Sequence, residues 1–210
     1  VYLTALENGW RAEDLITDEP ITEGRYRPQN FGHEYYGEVT LYEALTLSLN
    51  TVAVNLMRDV KPHAVINMAR RLGITSDLES DLSLALGSSG VPLIQMVTAY
   101  ATLGRGGLAV EPFAINRILD EDGYVYYERP RIISSRRVIE QEYIIELTSM
   151  MESVIQNGTG QAALIPYPAA GKTGTSQDFR DAWFIGFTDR YASATVSYTH
   201  LRAHETHNDL

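Results

Sequence analysis

Two short clusters in this chain carry residue types that can act on a polar substrate. Lys172-Thr173-Gly174, within the run Ala170-Gly171-Lys172-Thr173-Gly174-Thr175-Ser176, sets a cation, hydroxyls and bare backbone beside one another. A cation attracts a carboxylate, hydroxyls donate to it, and glycine lets a ligand approach main-chain N–H groups, so the run is suited to gripping a carboxylate and an oxyanion. Far upstream, Ser48-Leu49-Asn50 offers a hydroxyl and a carboxamide two residues apart. Gly-Lys-Thr also occurs in phosphate-binding loops, but that motif needs a glycine six residues before the lysine, and Pro166 stands there.

The elements that must position these clusters follow from apolar spacing and from glycine and proline. Leu41, Ala44, Leu45, Leu47, Val52 and Leu56 recur at helical spacing, which predicts one helix over residues 40–58 with the serine triplet inside it. A shorter helix is expected over residues 1–8, ended by Gly9, and others over 62–72 and 92–103, each with proline near its start and glycine at its end. Residues 137–156 predict a further helix closing near Asn157-Gly158. Pro20, Gly24, Pro28, Gly32 and Gly37 punctuate residues 10–39, which read as a long ordered loop. Strands are expected over 113–119 and 124–127, as a hairpin around Asp122-Gly123, and over 168–175, 182–187 and 191–196, the last three antiparallel. The sum is an α+β domain: a helical subdomain packed on an antiparallel sheet, with the active site in the crevice between them.

Composition narrows the function. At 210 residues, 44% of them hydrophobic, the chain is long enough for one domain with a real core. A formal net charge of −10 gives no basic footprint for nucleic acid. There is no cysteine, which excludes thiol chemistry, disulfides and cysteine-ligated metal. No cofactor is expected. No run approaches the roughly eighteen apolar residues of a membrane span, so no membrane contact is expected from this segment and any anchor is expected upstream.

The chain resembles the transpeptidase domain of class A, bifunctional penicillin-binding proteins. The resemblance rests on Ser48-Leu49-Asn50 and Lys172-Thr173-Gly174, which are similar to two of that family's three signature motifs. It extends through Tyr26-Arg27-Pro28-Gln29-Asn30, Tyr36-Gly37-Glu38-Val39-Thr40-Leu41, Leu82-Ser83-Leu84-Ala85-Leu86-Gly87-Ser88, Asn157-Gly158-Thr159-Gly160 and Asp181-Ala182-Trp183-Phe184-Ile185-Gly186-Phe187, in the family's order. It implies a partial transpeptidase domain over residues 1–196. The implied reaction is cross-linking of D-alanyl-D-alanine stem peptides of peptidoglycan through an acyl-enzyme, with β-lactams as inhibitors. By the same resemblance the parent protein carries an upstream glycosyltransferase domain, is anchored in the cytoplasmic membrane and works on its outer, periplasmic face.

Carried onto this sequence, the family pattern makes Ser48, Asn50 and Lys172 catalytic and Lys172, Thr173, Gly174 and Thr175 substrate-binding. Ser48 would pass a proton towards the leaving nitrogen, Asn50 would hold a substrate amide or the missing motif's lysine, Lys172 would supply positive potential, and Thr173 and Thr175 would donate to the carboxylate. The Thr175 N–H would form half of an oxyanion hole. The family's third motif is missing: the only lysines are Lys61 and Lys172, preceded three residues earlier by Arg58 and Ala169, so there is no Ser-x-x-Lys. The expectation is a chain cut just after that motif. Two alternatives remain open, a non-catalytic module that binds peptidoglycan or β-lactam, and a β-lactamase or D,D-carboxypeptidase.

Residues 197–210 depart from the pattern and read as a non-native tail. Its His200, His204 and His207 could share one helical face, but His204-Glu205-Thr206-His207 is one residue short of the zinc-protease pattern, and no metal site is expected. His33 and His63 lack companions and are expected at the surface. Trp183 is expected in the core beside Phe184 and Phe187.

Overall fold

The computed structural model describes residues 1–130, 136–175 and 181–198. Helix α1 (Tyr2–Glu7) ends where Gly9 takes a positive φ of 97°, as its glycine stop predicts. Strand β1 (Leu15–Asp18) then pairs antiparallel with β2 (Gly37–Thr40), Leu15 opposite Thr40 and Asp18 opposite Gly37. This corrects the expectation of an uninterrupted loop over residues 10–39. Four-residue strands are too short to show a two-residue alternation, and each is held by pairing with the other rather than by its own pattern.

Helix α2 (Leu41–Leu47) starts at a capping box. The Glu43 N–H donates to the Thr40 hydroxyl at 3.1 Å, and the Thr40 N–H donates back to the Glu43 carboxylate at 2.8 Å. Those bonds from Thr40 hold the Glu43 carboxyl below its ordinary range. The single helix expected over residues 40–58 is in fact two, because α2 stops before Ser48 and α3 (Asn50–Val60) starts after Leu49. Helix α4 (Pro62–Arg71) follows with proline in its first turn, then α5 (Leu93–Gly104) and α6 (Gln141–Gln156).

The hairpin of β3 (Arg117–Leu119) and β4 (Val125–Glu128) turns where the Asp120 carboxylate accepts from the N–H groups of Asp122 and Tyr124, and all seven strand residues are exposed. The main sheet has the order β5-β6-β7, formed by β5 (Ala170–Thr175), β6 (Asp181–Phe187) and β7 (Ala192–Tyr198), antiparallel throughout. Strand β7 runs past Val196 as far as Tyr198. Ser176 and the tail histidines His200, His204 and His207 lie outside the described residues.

One apolar core joins the helices to the sheet. It includes Leu6 of α1, Leu41 of α2, Leu56 and Met57 of α3, Met150 and Val154 of α6, Ala170 of β5 and Phe187 of β6. Helix α6 lies between α2 and β5 and touches both. Phe187 is buried and meets Tyr100 of α5 edge-on, whereas Trp183 is only half-buried, so the expected aromatic cluster is core at one end alone.

Truncating a buried side chain at the centre of this packing should be expensive. Met150→Ala is expected to lower stability by roughly 2–5 kcal/mol, read from urea denaturation midpoints; a loss below about 1 kcal/mol would contradict the central place given to α6.

Candidate active site

The serine triplet sits in the break between α2 and α3. The Ser48 N–H donates to the Leu45 carbonyl at 3.1 Å and the Leu49 N–H to the Ala44 carbonyl at 2.9 Å, the paired bonds of a Schellman helix end. That motif needs a left-handed residue, and Ser48 supplies it with φ 59° and ψ 47°. Glycine normally takes this place, since a side chain there costs on the order of 1 kcal/mol. Leu49 is buried and pins the turn, so the Ser48 hydroxyl is presented at a rigid corner and not along a helix face.

Strand β5 brings Lys172 to that corner. Its ammonium donates to the Ser48 hydroxyl oxygen at 2.7 Å and to the Thr173 carbonyl at 3.0 Å, joining groups 124 residues apart. Because Ser48 accepts this bond, its own O–H is free to point into the cleft. Burial pulls the Lys172 ammonium down from 10.5 to about 8. Near neutral pH this group therefore sits close to its titration, where an amine can both give and take a proton.

Further along β5, burial falls away, with Ala170 and Gly171 buried, Lys172 and Thr173 half-buried, and Gly174 and Thr175 exposed. Among the described residues β5 pairs only with β6, so its other edge is open to an extended ligand. Among the expected site residues, the structure brings Ser48, Lys172 and Thr173 together and leaves Gly174 and Thr175 at the open end of the strand. Asn50 is engaged differently: its side-chain amide donates to the Gln29 carbonyl at 2.8 Å.

One further residue at the site escaped the sequence reading of roles. The Thr159 hydroxyl lies 2.7 Å from that of Thr173. A threonine hydroxyl that accepts from one neighbour must direct its hydrogen elsewhere, so this contact can orient Thr173 as a donor to a ligand. Thr159 is held there by its neighbour: a Cβ on Gly158 would come within 2.1 Å of the Thr46 carbonyl oxygen, a closeness only glycine permits. Thr46 in turn is fixed, its hydroxyl 2.8 Å from the Tyr42 carbonyl and 2.9 Å from the Ser153 hydroxyl. The signal was present in Asn157-Gly158-Thr159-Gly160, where a hydroxyl stands between two glycines.

Among the described residues no group of three or more His, Asp or Glu side chains could hold a metal ion. The cation, the two hydroxyls and the open strand edge thus lie together, a set whose chemistry is suited to holding an anion and passing a proton.

Comparison with known proteins gives this cleft a context. The family model described as penicillin binding protein transpeptidase domain matches residues 1–208. Penicillin-binding protein 1A of Rickettsia conorii is 32% identical over 90% of this chain and 28% of its own length. The structure of the penicillin-binding protein PonA1 from Mycobacterium tuberculosis is similar at a TM-score of 0.85 and 26% identity, covering 93% of this chain and 57% of that one. The same protein in complex with penicillin V is similar at a TM-score of 0.82. The chain thus spans under a third of the length of the curated relative.

Two outcomes are expected from this geometry. Gly158→Ala should lower stability by roughly 1–3 kcal/mol, because the new methyl must displace the Thr46 backbone; an unchanged denaturation midpoint would contradict the close approach. Below pH 8 both folded and unfolded chains hold the Lys172 proton, and the folded state bears the cost of a buried ammonium. Between about 8 and 10.5 the folded state releases that proton while the unfolded state keeps it, so stability contributed through Lys172 rises with pH across this window. Urea midpoints of the wild type should therefore gain on those of Lys172→Met over that range, and a constant difference would contradict it.

Proposed function

The chain belongs to the family of penicillin-binding protein transpeptidase domains, and from that premise we propose that it serves serine acyl transfer on D-alanyl-D-alanine stem peptides of peptidoglycan, with β-lactams as inhibitors. The single observation that carries this reading is the 2.7 Å bond from Lys172 to Ser48, which unites the two motifs in one cleft. In acyl transfer a nucleophilic hydroxyl adds to the penultimate carbonyl, a tetrahedral oxyanion forms, and the leaving amine must receive a proton. Ser48 is suited to the last step: it loses its hydrogen to the amine and is resupplied by whatever group has taken the nucleophile's proton. The low-titrating Lys172 beside it supports that traffic and keeps positive potential in the cleft.

The substrate's terminal carboxylate would lie towards the Thr173 and Thr175 hydroxyls, with the peptide laid along the open edge of β5 and the Thr175 N–H donating to the oxyanion. Asn50, tied to Gln29 through its amide, would present its remaining side-chain carbonyl to a substrate amide. In this reading the protein works on the outer face of the cytoplasmic membrane, in a parent that also holds a glycosyltransferase domain, and resolves the acyl-enzyme with an amine rather than water. A second reading, a module that binds peptidoglycan or β-lactam without turnover, is favoured by one specific observation: residues 1–210 contain no Ser-x-x-Lys.

Penicillin labelling separates the two. The 210-residue chain alone should give no covalent adduct by intact mass, and an adduct on Ser48 or any other serine would overturn the assignment of its role. The protein encoded by the complete gene should be acylated, with Lys172→Ala slowing acylation by roughly 10²–10³-fold. A complete protein that folds but never acquires the label would leave only the binding module.

A further inference from the structure

Asp18, at the end of β1, is a carboxylate only 1% exposed, and among the described residues no cation pairs with it. Uncharged donors surround it instead. The Asn30 side-chain amide donates to both of its oxygens, at 2.8 and 3.0 Å, the Tyr36 N–H donates at 2.9 Å, and the Thr51 hydroxyl donates to Oδ1. Asn30, itself 4% exposed, uses its amide also towards the Glu34 carbonyl at 3.0 Å and turns its side-chain oxygen to the Thr51 N–H at 3.2 Å.

That last bond matters for helix α3. Its N-cap residue is Leu49, which has no side-chain oxygen to offer the first-turn N–H groups, and Asn30 supplies the missing acceptor from another part of the chain. One residue earlier on both segments, the Asn50 side chain is bonded to the Gln29 carbonyl. Residues 29–30 therefore grip residues 50–51, immediately after the break that carries Ser48.

The charge on Asp18 helps to fix which way Asn30 faces, together with the Glu34 carbonyl and the Thr51 N–H. A carboxylate can only accept, so it binds the NH₂ end of the Asn30 carboxamide and leaves the oxygen end for Thr51. A neutral amide at position 18 could present either end. The hold on Asn30 would then rest on the Glu34 carbonyl and the Thr51 N–H alone, and the cap on α3 would loosen. The anion is tolerated in a buried place because it lies at the N-terminal end of α3, where the helix dipole favours negative charge. It also lies near Tyr2, whose phenol is pushed up first by burial and then by this charge.

We propose that Asp18, acting through Asn30, is a positioning residue for the Ser48–Asn50 triplet, fixing the start of α3 and with it the corner that presents Ser48 to Lys172. The inference rests on the acyl-transfer reading of that cleft.

The chain's two lysines make the test direct, since ¹³C-lysine labelling yields one signal from Lys172 and one from Lys61. Asp18→Asn keeps the shape and removes the charge. It should raise the Lys172 titration midpoint by roughly half a pH unit or more, as the corner loosens and the ammonium regains water, with Lys61 unmoved. Asp18→Asn combined with Asn30→Asp restores one carboxylate facing one carboxamide, and although the Glu34 carbonyl loses its donor, it should return the midpoint part of the way towards the wild type. If Asp18→Asn does not fold, Thr51→Val removes a single bond to the carboxylate and should move Lys172 in the same direction by less. Folded variants whose thermal stability falls while Lys172 titrates as in the wild type would overturn the proposal, leaving Asp18 a stabilising group only. A wild-type Lys172 that titrates near 10.5 would sink the cleft reading itself, and the proposal with it, before any variant is compared.

Discussion

The geometry of the cleft depends on how α6 is packed. Its buried residues Met150, Met151 and Val154 fill the space between α2 on one side and β5 on the other. Those two elements end in Ser48 and carry Lys172, so the thickness of one helix sets the distance between the groups that meet at 2.7 Å. Interiors packed like organic crystals transmit displacements of tenths of an ångström rather than absorbing them. The same helix then runs into Gly158 and Thr159, which close on Thr46 and Thr173. One element thereby fixes both walls of the cleft and adds a third contact, without placing any side chain of its own on the proposed reacting atoms.

The electrostatics have a comparable economy of parts. The chain carries a net charge of −10 and two lysines, one of which is in the cleft. At physiological ionic strength, fields from surface carboxylates fade over about 8 Å, whereas a half-buried ammonium is screened far less. In the reading proposed above, an anionic ligand would thus meet an attraction that is local and directional on a chain whose net charge opposes it. The lowered titration of Lys172 follows from the same burial, so the property that makes it visible to an anion also makes it exchange protons easily.

How far this was legible varied with the range of the interaction. Lys172-Thr173-Gly174 could be read from its residue types, and α1, α4, α5, α6, the β3–β4 hairpin and the three-stranded sheet from apolar spacing and from glycine and proline. The break at Ser48 could not. Apolar spacing runs across it from Leu45 to Val52 without a fault, and the left-handed residue is a serine where the usual signal would be glycine. Strands β1 and β2 were hidden because each is short and is defined by a partner about twenty residues away. Asp18 was hidden for a related reason: a lone aspartate before a proline-containing turn looks solvated, and only the fold brings Asn30 and Thr51 around it. Thr159 lay in a visible motif, but its role depends on Gly158 touching Thr46, a contact no local pattern encodes.

The separation of 124 residues between Ser48 and Lys172 also has a meaning for biogenesis. Closing a loop of that length costs on the order of 4 kcal/mol of chain entropy, which must be offset before their contact contributes anything. During synthesis at roughly 5–20 residues per second, the serine corner leaves the ribosome several seconds or more before the lysine strand exists. Every group that holds the start of α3 in place, Asp18, Gln29, Asn30 and Tyr36, is made before Ser48 or Asn50. The polar contacts at the start of α3 can therefore form as the corner emerges, whereas its packing waits for α6 and its lysine for β5.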